Sequence, residues 1–180
     1  MRWRDLGAPP NLLSLLRLAL VPVAILLLVA GRRPAAAVVL GAMVLTDGLD
    51  GLVARRTGRI TALGRILDPV ADKVAIDSLL AALAVRGEFP AWALALVLAR
   101  DAAILAGAAL IARRTARVPA AVAVGKVALV LLAAMTFVFV LDLKSVEPPL
   151  LVAGVAGVAA SAIAYAAVAR SALRAGRATV

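Results

Sequence analysis

The chain has 180 residues, 64% of them hydrophobic, with 20 Lys and Arg against 10 Asp and Glu and a formal net charge of +10. Soluble domains average about 45–50% apolar residues. This composition, with a mean hydropathy of +1.05, therefore excludes a water-soluble globule and reads as one integral membrane domain over 1–180. Cys and His are both absent, which excludes disulfides and the thiolate or imidazole ligands typical of zinc sites, so any bound metal is expected to be held by oxygen.

Six apolar segments follow in order, about 12–30, 35–55, 64–85, 91–112, 119–141 and 148–169, each near the roughly 20 residues that cross a bilayer. The breaks between them, such as Gly31-Arg32-Arg33-Pro34 and Arg86-Gly87-Glu88-Phe89-Pro90, are rich in Gly, Pro or charge. The first segment is long for a signal peptide and five more succeed it, so it is expected to stay as a span. The fold class expected is an all-α integral membrane protein of six transmembrane helices.

With the N-terminus inside, Arg2, Arg4, Arg55, Arg56, Arg59, Arg65, Arg113, Arg114, Arg117, Arg170, Arg174 and Arg177 fall on the inner side. Only Arg32, Arg33, Arg86 and Lys144 fall outside. That asymmetry puts both termini in the cytoplasm. The arginines lie in short loops, where anionic lipid is the natural partner, so no nucleic acid is expected to bind.

Ionisable residues inside spans mark function by default. Arg17 lies in the first segment, Arg100 and Asp101 in the fourth and Lys126 in the fifth, whereas the sixth carries no charge between Pro148 and Ala169. The second and third segments hold four aspartates. Asp47 and Asp50 are three apart and Asp68 and Asp72 four apart, so each pair shares a helix face, and a short hairpin joins the two segments. Along a helix Asp47 lies about 12 Å from Arg55, close to headgroup depth.

Four carboxylates at that depth need compensating positive charge, and two divalent cations would supply it as a clamp on a phosphoanhydride. Gly51, Ala54 and Gly64 leave helix surface bare for a bulky ligand, and Arg55 offers a fork to a phosphate. These parts suit phosphoryl transfer from a nucleotide-activated lipid. Two alternatives use similar residues, a membrane cation transporter and an aspartate-rich prenyltransferase.

The spacing Asp47-x2-Asp50-Gly51-x2-Ala54-Arg55-x8-Gly64-x3-Asp68-x3-Asp72 resembles, at every specified position, the signature of the CDP-alcohol phosphatidyltransferases. The resemblance implies a homodimer in a bacterial cytoplasmic membrane, with its active site facing the cytoplasm, that attacks CDP-diacylglycerol with an alcohol acceptor and releases CMP. It further implies that Asp47, Asp50, Asp68 and Asp72 bind two divalent cations, Mg²⁺ or Mn²⁺, and that Asp72 deprotonates the acceptor. Gly51, Ala54, Arg55 and Gly64 would line the nucleotide pocket.

Pro10-Asn11-Leu12-Leu13-Ser14-x2-Arg17 and Asp68-Pro69-Val70-Ala71-Asp72-Lys73 look like the phosphatidylglycerophosphate and cardiolipin synthase branches. The first branch uses glycerol 3-phosphate as acceptor and the second uses phosphatidylglycerol. Lys126, after Gly125, resembles a lysine of the glycerophosphate branch, while Arg100-Asp101 departs from its Arg-Glu and leans to the cardiolipin type. Glycerol 3-phosphate is the preferred acceptor. Arg17, Arg100 and Lys126 are expected to contact an acceptor or lipid phosphate, with snorkelling or pairing to a carboxylate as the alternative.

Overall fold

The computed structural model describes residues 9–57, 64–114 and 123–175, with side chains described at 12–46, 70–107 and 124–171. Arg2, Arg4, Arg59, Arg117 and Arg177 lie outside the described residues. What is described is helical: α1 (Pro9–Val29), α2 (Arg33–Thr57), α3 (Gly64–Val85), α4 (Ala91–Arg114), α5 (Ala123–Leu141) and α6 (Glu147–Ala175). Long runs of Ala, Leu and Val favour this choice, and in hydrocarbon a helix satisfies its own backbone groups.

Each expected span coincides with one helix. Among the described residues, three stretches, Leu12–Val29, Val124–Leu141 and Glu147–Ser171, are long and apolar enough to cross a membrane. In α2 the described stretch Arg33–Thr46 is likewise an apolar helix.

Several helices outrun their apolar segments. α2 continues through Arg55 and Arg56, α4 through Arg113 and Arg114, and α6 beyond Arg170. Cations in a last helical turn are favourable neighbours of the carbonyl end, so nothing in those residues stops the helix. α1 starts on Pro9, where a missing N–H costs nothing.

α1, α3 and α5 all end in the same way. Arg32 N–H bonds the Leu27 carbonyl at 2.9 Å and Gly31 N–H the Leu28 carbonyl at 3.1 Å. Glu88 and Gly87 repeat the pattern on Leu83 and Ala84, and Leu143 and Asp142 repeat it on Val138 and Phe139. This paired closure needs a left-handed residue after the helix, supplied by Gly31 (φ 73°), Gly87 (φ 72°) and Asp142 (φ 60°). Asp tolerates that region better than most side chains do.

The chain divides into two compact units, residues 1–89 with 136–143, and residues 90–135 with 144–180. In the first unit α1 packs against both α2 and α3. The buried stripe of α1 is Ser14, Arg17, Val21, Ala24 and Leu28; α2 buries Ala36, Leu40 and Met43, and α3 buries Ala71, Ala75, Leu79 and Leu83.

In the second unit α4 packs on α6. α5 lies close to α6 where Gly154 and Gly157 remove side chains: a Cβ on Gly154 would meet Met135 Sδ at 2.7 Å, and one on Gly157 would meet Leu131 Cδ1 at 3.0 Å. The small residues of α6 therefore serve close packing, in keeping with membrane helices generally. The outward faces are apolar, with Leu26, Val38, Leu45, Val130, Val152 and Ile163 among the exposed side chains.

Candidate active site

The aspartates are carried by α2 and α3 of the first unit. Asp47, Asp50, Gly51, Ala54 and Arg55 all belong to the last three turns of α2, Gly64 opens α3, and Asp68 follows on the same helix. The side chains of these residues lie outside the described ones. Asp72 is described, on the α3 surface that flanks the buried residues Ala71, Ala75 and Ile76.

Asp72 is met by Arg17. Arg17 Nη1 donates to Asp72 Oδ1 as a hydrogen-bonded ion pair between α1 and α3. The arginine side chain is 2% exposed and the aspartate 19%. Asp72 lies eight residues into α3 and Arg17 eight residues after the start of α1, so both stand about 12 Å along their helices.

Sixteen residues further along each segment a second pair forms, with Arg33 Nη2 at 2.9 Å from Glu88 Oε1. The first contact ties α1 to α3, and the second ties the head of α2, just past the end of α1, to the turn just past the end of α3, so α1 and α3 run in the same direction. The separation between the pairs, roughly 20 Å along the helices, is a large part of a bilayer's hydrocarbon thickness.

The far pair belongs to a cluster. Arg33 Nη1 also donates to the carbonyls of Phe139 and Val140, at 3.3 Å each, so a side chain at the head of α2 caps the open end of α5. Arg86 Nε donates to Glu88 Oε1 at 3.1 Å. Phe89 and Phe139 stack edge to face with centroids 4.9 Å apart. The hydrogen bond from Arg86, together with the charges of Arg33 and Arg86, holds the Glu88 carboxyl below the usual range against the opposing effect of burial.

Arg100 and Lys126 belong to the second unit and differ from one another. Arg100 is buried on α4, where its Nη1 donates to Asp101 Oδ1 and its Nε to Ser161 Oγ of α6 at 2.9 Å. Ser161 passes the polarity on, donating to the Val158 carbonyl at 2.9 Å. Lys126 is exposed on α5. Beside it Gly125 is covered by Tyr165, whose hydroxyl and ring edge lie 2.9 Å from where a Cβ would be. Ser161 and Tyr165 carry no sequence signal of their own, since each lies dozens of residues from its partner.

The chemistry of the donor set fits a hard divalent cation. Four carboxylates offer oxygen alone, the ligand type of Mg²⁺ and Mn²⁺, and Asp72 keeps part of its surface open. Among the described residues no three acidic side chains gather into a metal cluster.

A helical membrane domain with this carboxylate arrangement defines a class, and comparison with known proteins gives its family. A family model described as CDP-alcohol phosphatidyltransferase matches residues 8–171, and the chain belongs to that family. It is accordingly an integral membrane protein, with three helices fit to span among the described residues.

Among its relatives is a Mycobacterium tuberculosis protein named "Probable phosphatidylglycerophosphate synthase", 43% identical over 51% of this chain and 46% of the relative. A Streptomyces coelicolor protein named "Cardiolipin synthase (CMP-forming)" is 41% identical over 53% of this chain and 47% of its own. In these two cases the chain spans about half the length of the relative. A Bacillus subtilis protein named "CDP-diacylglycerol--glycerol-3-phosphate 3-phosphatidyltransferase" is 31% identical over 66% of this chain and 68% of the relative.

Proposed function

We propose that the protein transfers a phosphatidyl group from CDP-diacylglycerol to glycerol 3-phosphate, forming phosphatidylglycerophosphate and CMP. The observation that carries this reading is the complete set Asp47, Asp50, Gly51, Ala54, Arg55, Gly64, Asp68 and Asp72, lying on two adjoining helices within the matched region 8–171.

In this reading Asp72 accepts the proton of the acceptor hydroxyl. The freed oxygen attacks the phosphorus that bears diacylglycerol, the bond from that phosphorus to CMP breaks, and CMP leaves with the electron pair. Gly51 and Ala54 admit the nucleotide against bare helix surface, and Arg55 forks onto one of its phosphates. Two divalent cations, Mg²⁺ or Mn²⁺, when held by Asp47, Asp50, Asp68 and Asp72, neutralise charge on the diphosphate.

The protein works as a homodimer with six spans, both termini and the aspartates facing the cytoplasm, in the bacterial cytoplasmic membrane. The excess of arginine at one set of loops supports this orientation. A second reading takes phosphatidylglycerol as acceptor, and the name of the Streptomyces relative and the Arg100-Asp101 pair favour it.

The test is purified protein with labelled CDP-diacylglycerol, Mg²⁺ and a panel of alcohols. CMP release with glycerol 3-phosphate is expected, and release with phosphatidylglycerol instead selects the second reading. No acceptor giving CMP above the Asp72→Asn background would show both to be wrong.

A further inference from the structure

We propose that Arg17 is a positioning residue, which fixes the carboxylate of Asp72 and does not itself hold an acceptor or lipid phosphate. What Asp72 does rests on the phosphatidyl-transfer reading above, whereas the contact with Arg17 does not.

Arg17 occupies the buried stripe of α1, at a place where Val21, Ala24 and Leu28 are its successors. A guanidinium there is costly unless a carboxylate compensates it, and Asp72 supplies one. A phosphate ligand needs an open guanidinium face, because forked recognition uses two N–H groups side by side. At 2% exposure Arg17 presents almost none, while Asp72, at 19%, keeps surface for a second partner. Through the Asp72 contact Arg17 acts on the reacting atoms without an open face of its own.

The ends of this contact are held firmly. α1 packs against both α2 and α3, and beyond the far ends of α1 and α3 the Arg33–Glu88 pair joins the head of α2 to the turn after α3. With Oδ1 tied to α1, rotation of the Asp72 carboxylate is restricted. A base must stand within about 2.6–3.2 Å of the proton it takes, so that restriction matters to turnover and not to substrate affinity.

The full chain in lipid nanodiscs supports two measurements on the wild type, Arg17→Met, Arg17→Lys, Asp72→Asn and the double variant Arg17→Met/Asp72→Asn. The first is thermal unfolding in EDTA. Arg17→Met is expected to lower Tm, and Asp72→Asn added to it is expected to recover part of the loss, because the neutral pair leaves no buried charge. Additive shifts would overturn the proposal. If Arg17→Met yields no folded protein, folded double variant is the same coupling, and a double variant no better than the single one counts against it.

The second measurement is CMP release. In Arg17→Met kcat should fall about 100-fold, the scale of a misplaced catalytic group, with KM for both substrates unchanged within about threefold. Arg17→Lys, which keeps the charge but not the planar fork, should fall between the wild type and Arg17→Met. A KM raised about tenfold for either substrate with kcat preserved would instead make Arg17 a substrate ligand. If the wild type releases no CMP with any acceptor, the phosphatidyl-transfer reading fails while the unfolding cycle still decides the contact.

Discussion

Arg33 and Glu88, from the head of α2 and the turn after α3, stand 2.9 Å apart, and the same arginine reaches the last carbonyls of α5. One side chain thus joins three segments at one end of the first unit. Glu88 is the acidic centre of this cluster, since Arg86 also donates to it.

The pH dependence of stability follows from that arrangement. The Glu88 carboxyl is held below its usual range, first by the Arg86 hydrogen bond and then by the charges around it, against burial. A lowered folded-state pKa gives stability that is fully present above the unfolded value and lost as pH falls through the folded one. Wild-type Tm should therefore drop more steeply than that of Glu88→Gln once pH passes below about 4.3, the ordinary glutamate value. At neutral pH the variant should cost up to about 1 kcal/mol, as partly exposed ion pairs do. Parallel curves of Tm against pH for the two proteins would refute this.

Gly125 and Tyr165 make a second coupled pair. A Cβ at position 125 would lie 2.9 Å from both the hydroxyl and the ring edge of Tyr165 and 3.3 Å from Cζ, so the whole rigid ring must swing away. Gly125→Ala should lower stability by about 1–3 kcal/mol, the usual cost of overpacking. In a Tyr165→Ala background the same change should be near neutral, or favourable because alanine suits a helix better than glycine. Equal effects in both backgrounds would mean that the ring does not cover Gly125.

Arg100 provides a sharper contrast between structure and sequence expectation. Its guanidinium is bound to Asp101 and Ser161 and is buried between α4 and α6, an arrangement that suits fastening two helices better than holding a phosphate. Breaking one side of a buried ion pair costs about 3–5 kcal/mol, whereas replacing both partners with apolar residues is often close to neutral. Arg100→Met and Asp101→Asn should each lower Tm strongly, and Arg100→Met/Asp101→Leu should recover most of it. Ser161→Ala should cost about 1.5–3 kcal/mol for a lost bond to a charged group. KM for the acceptor, measured on variants that fold, should stay near wild type, and a selective rise in Arg100→Lys would restore the phosphate-ligand role.

The helices were legible because bilayer length, apolar composition and Gly or Pro breaks are local properties of the chain. The ends were less so. α2 and α4 run on through Arg55, Arg56, Arg113 and Arg114 because a helix needs no apolar side chains once it leaves hydrocarbon. The aspartate pattern was also legible, since its members lie within 26 residues and its spacing fixes helix faces. The partners of the isolated charges were not. Arg17 and Asp72 are 55 residues apart, and Arg100 and Ser161 are 61 apart. Periodicity puts each residue on a face of its own helix but does not say which neighbour that face meets.

Cation removal bears on the aspartates independently of turnover. On the proposed reading the four carboxylates carried by α2 and α3 would repel one another, and a bound divalent cation would turn that repulsion into attraction. A ligand that binds the folded state alone stabilises it by about 2.7 kcal/mol at 100 times its dissociation constant. Mg²⁺ should therefore raise the Tm of the EDTA-treated wild type in a concentration-dependent way. Asp50→Asn/Asp68→Asn should lose most of that rise, and its Tm in EDTA should equal or exceed that of the wild type because two like charges have gone. Lys144→Ala, outside the aspartate helices, should keep the full response. An Mg²⁺ shift of the same size in the wild type and the double aspartate variant would place the cation elsewhere, and with it the assignment of these four side chains as its ligands would fall.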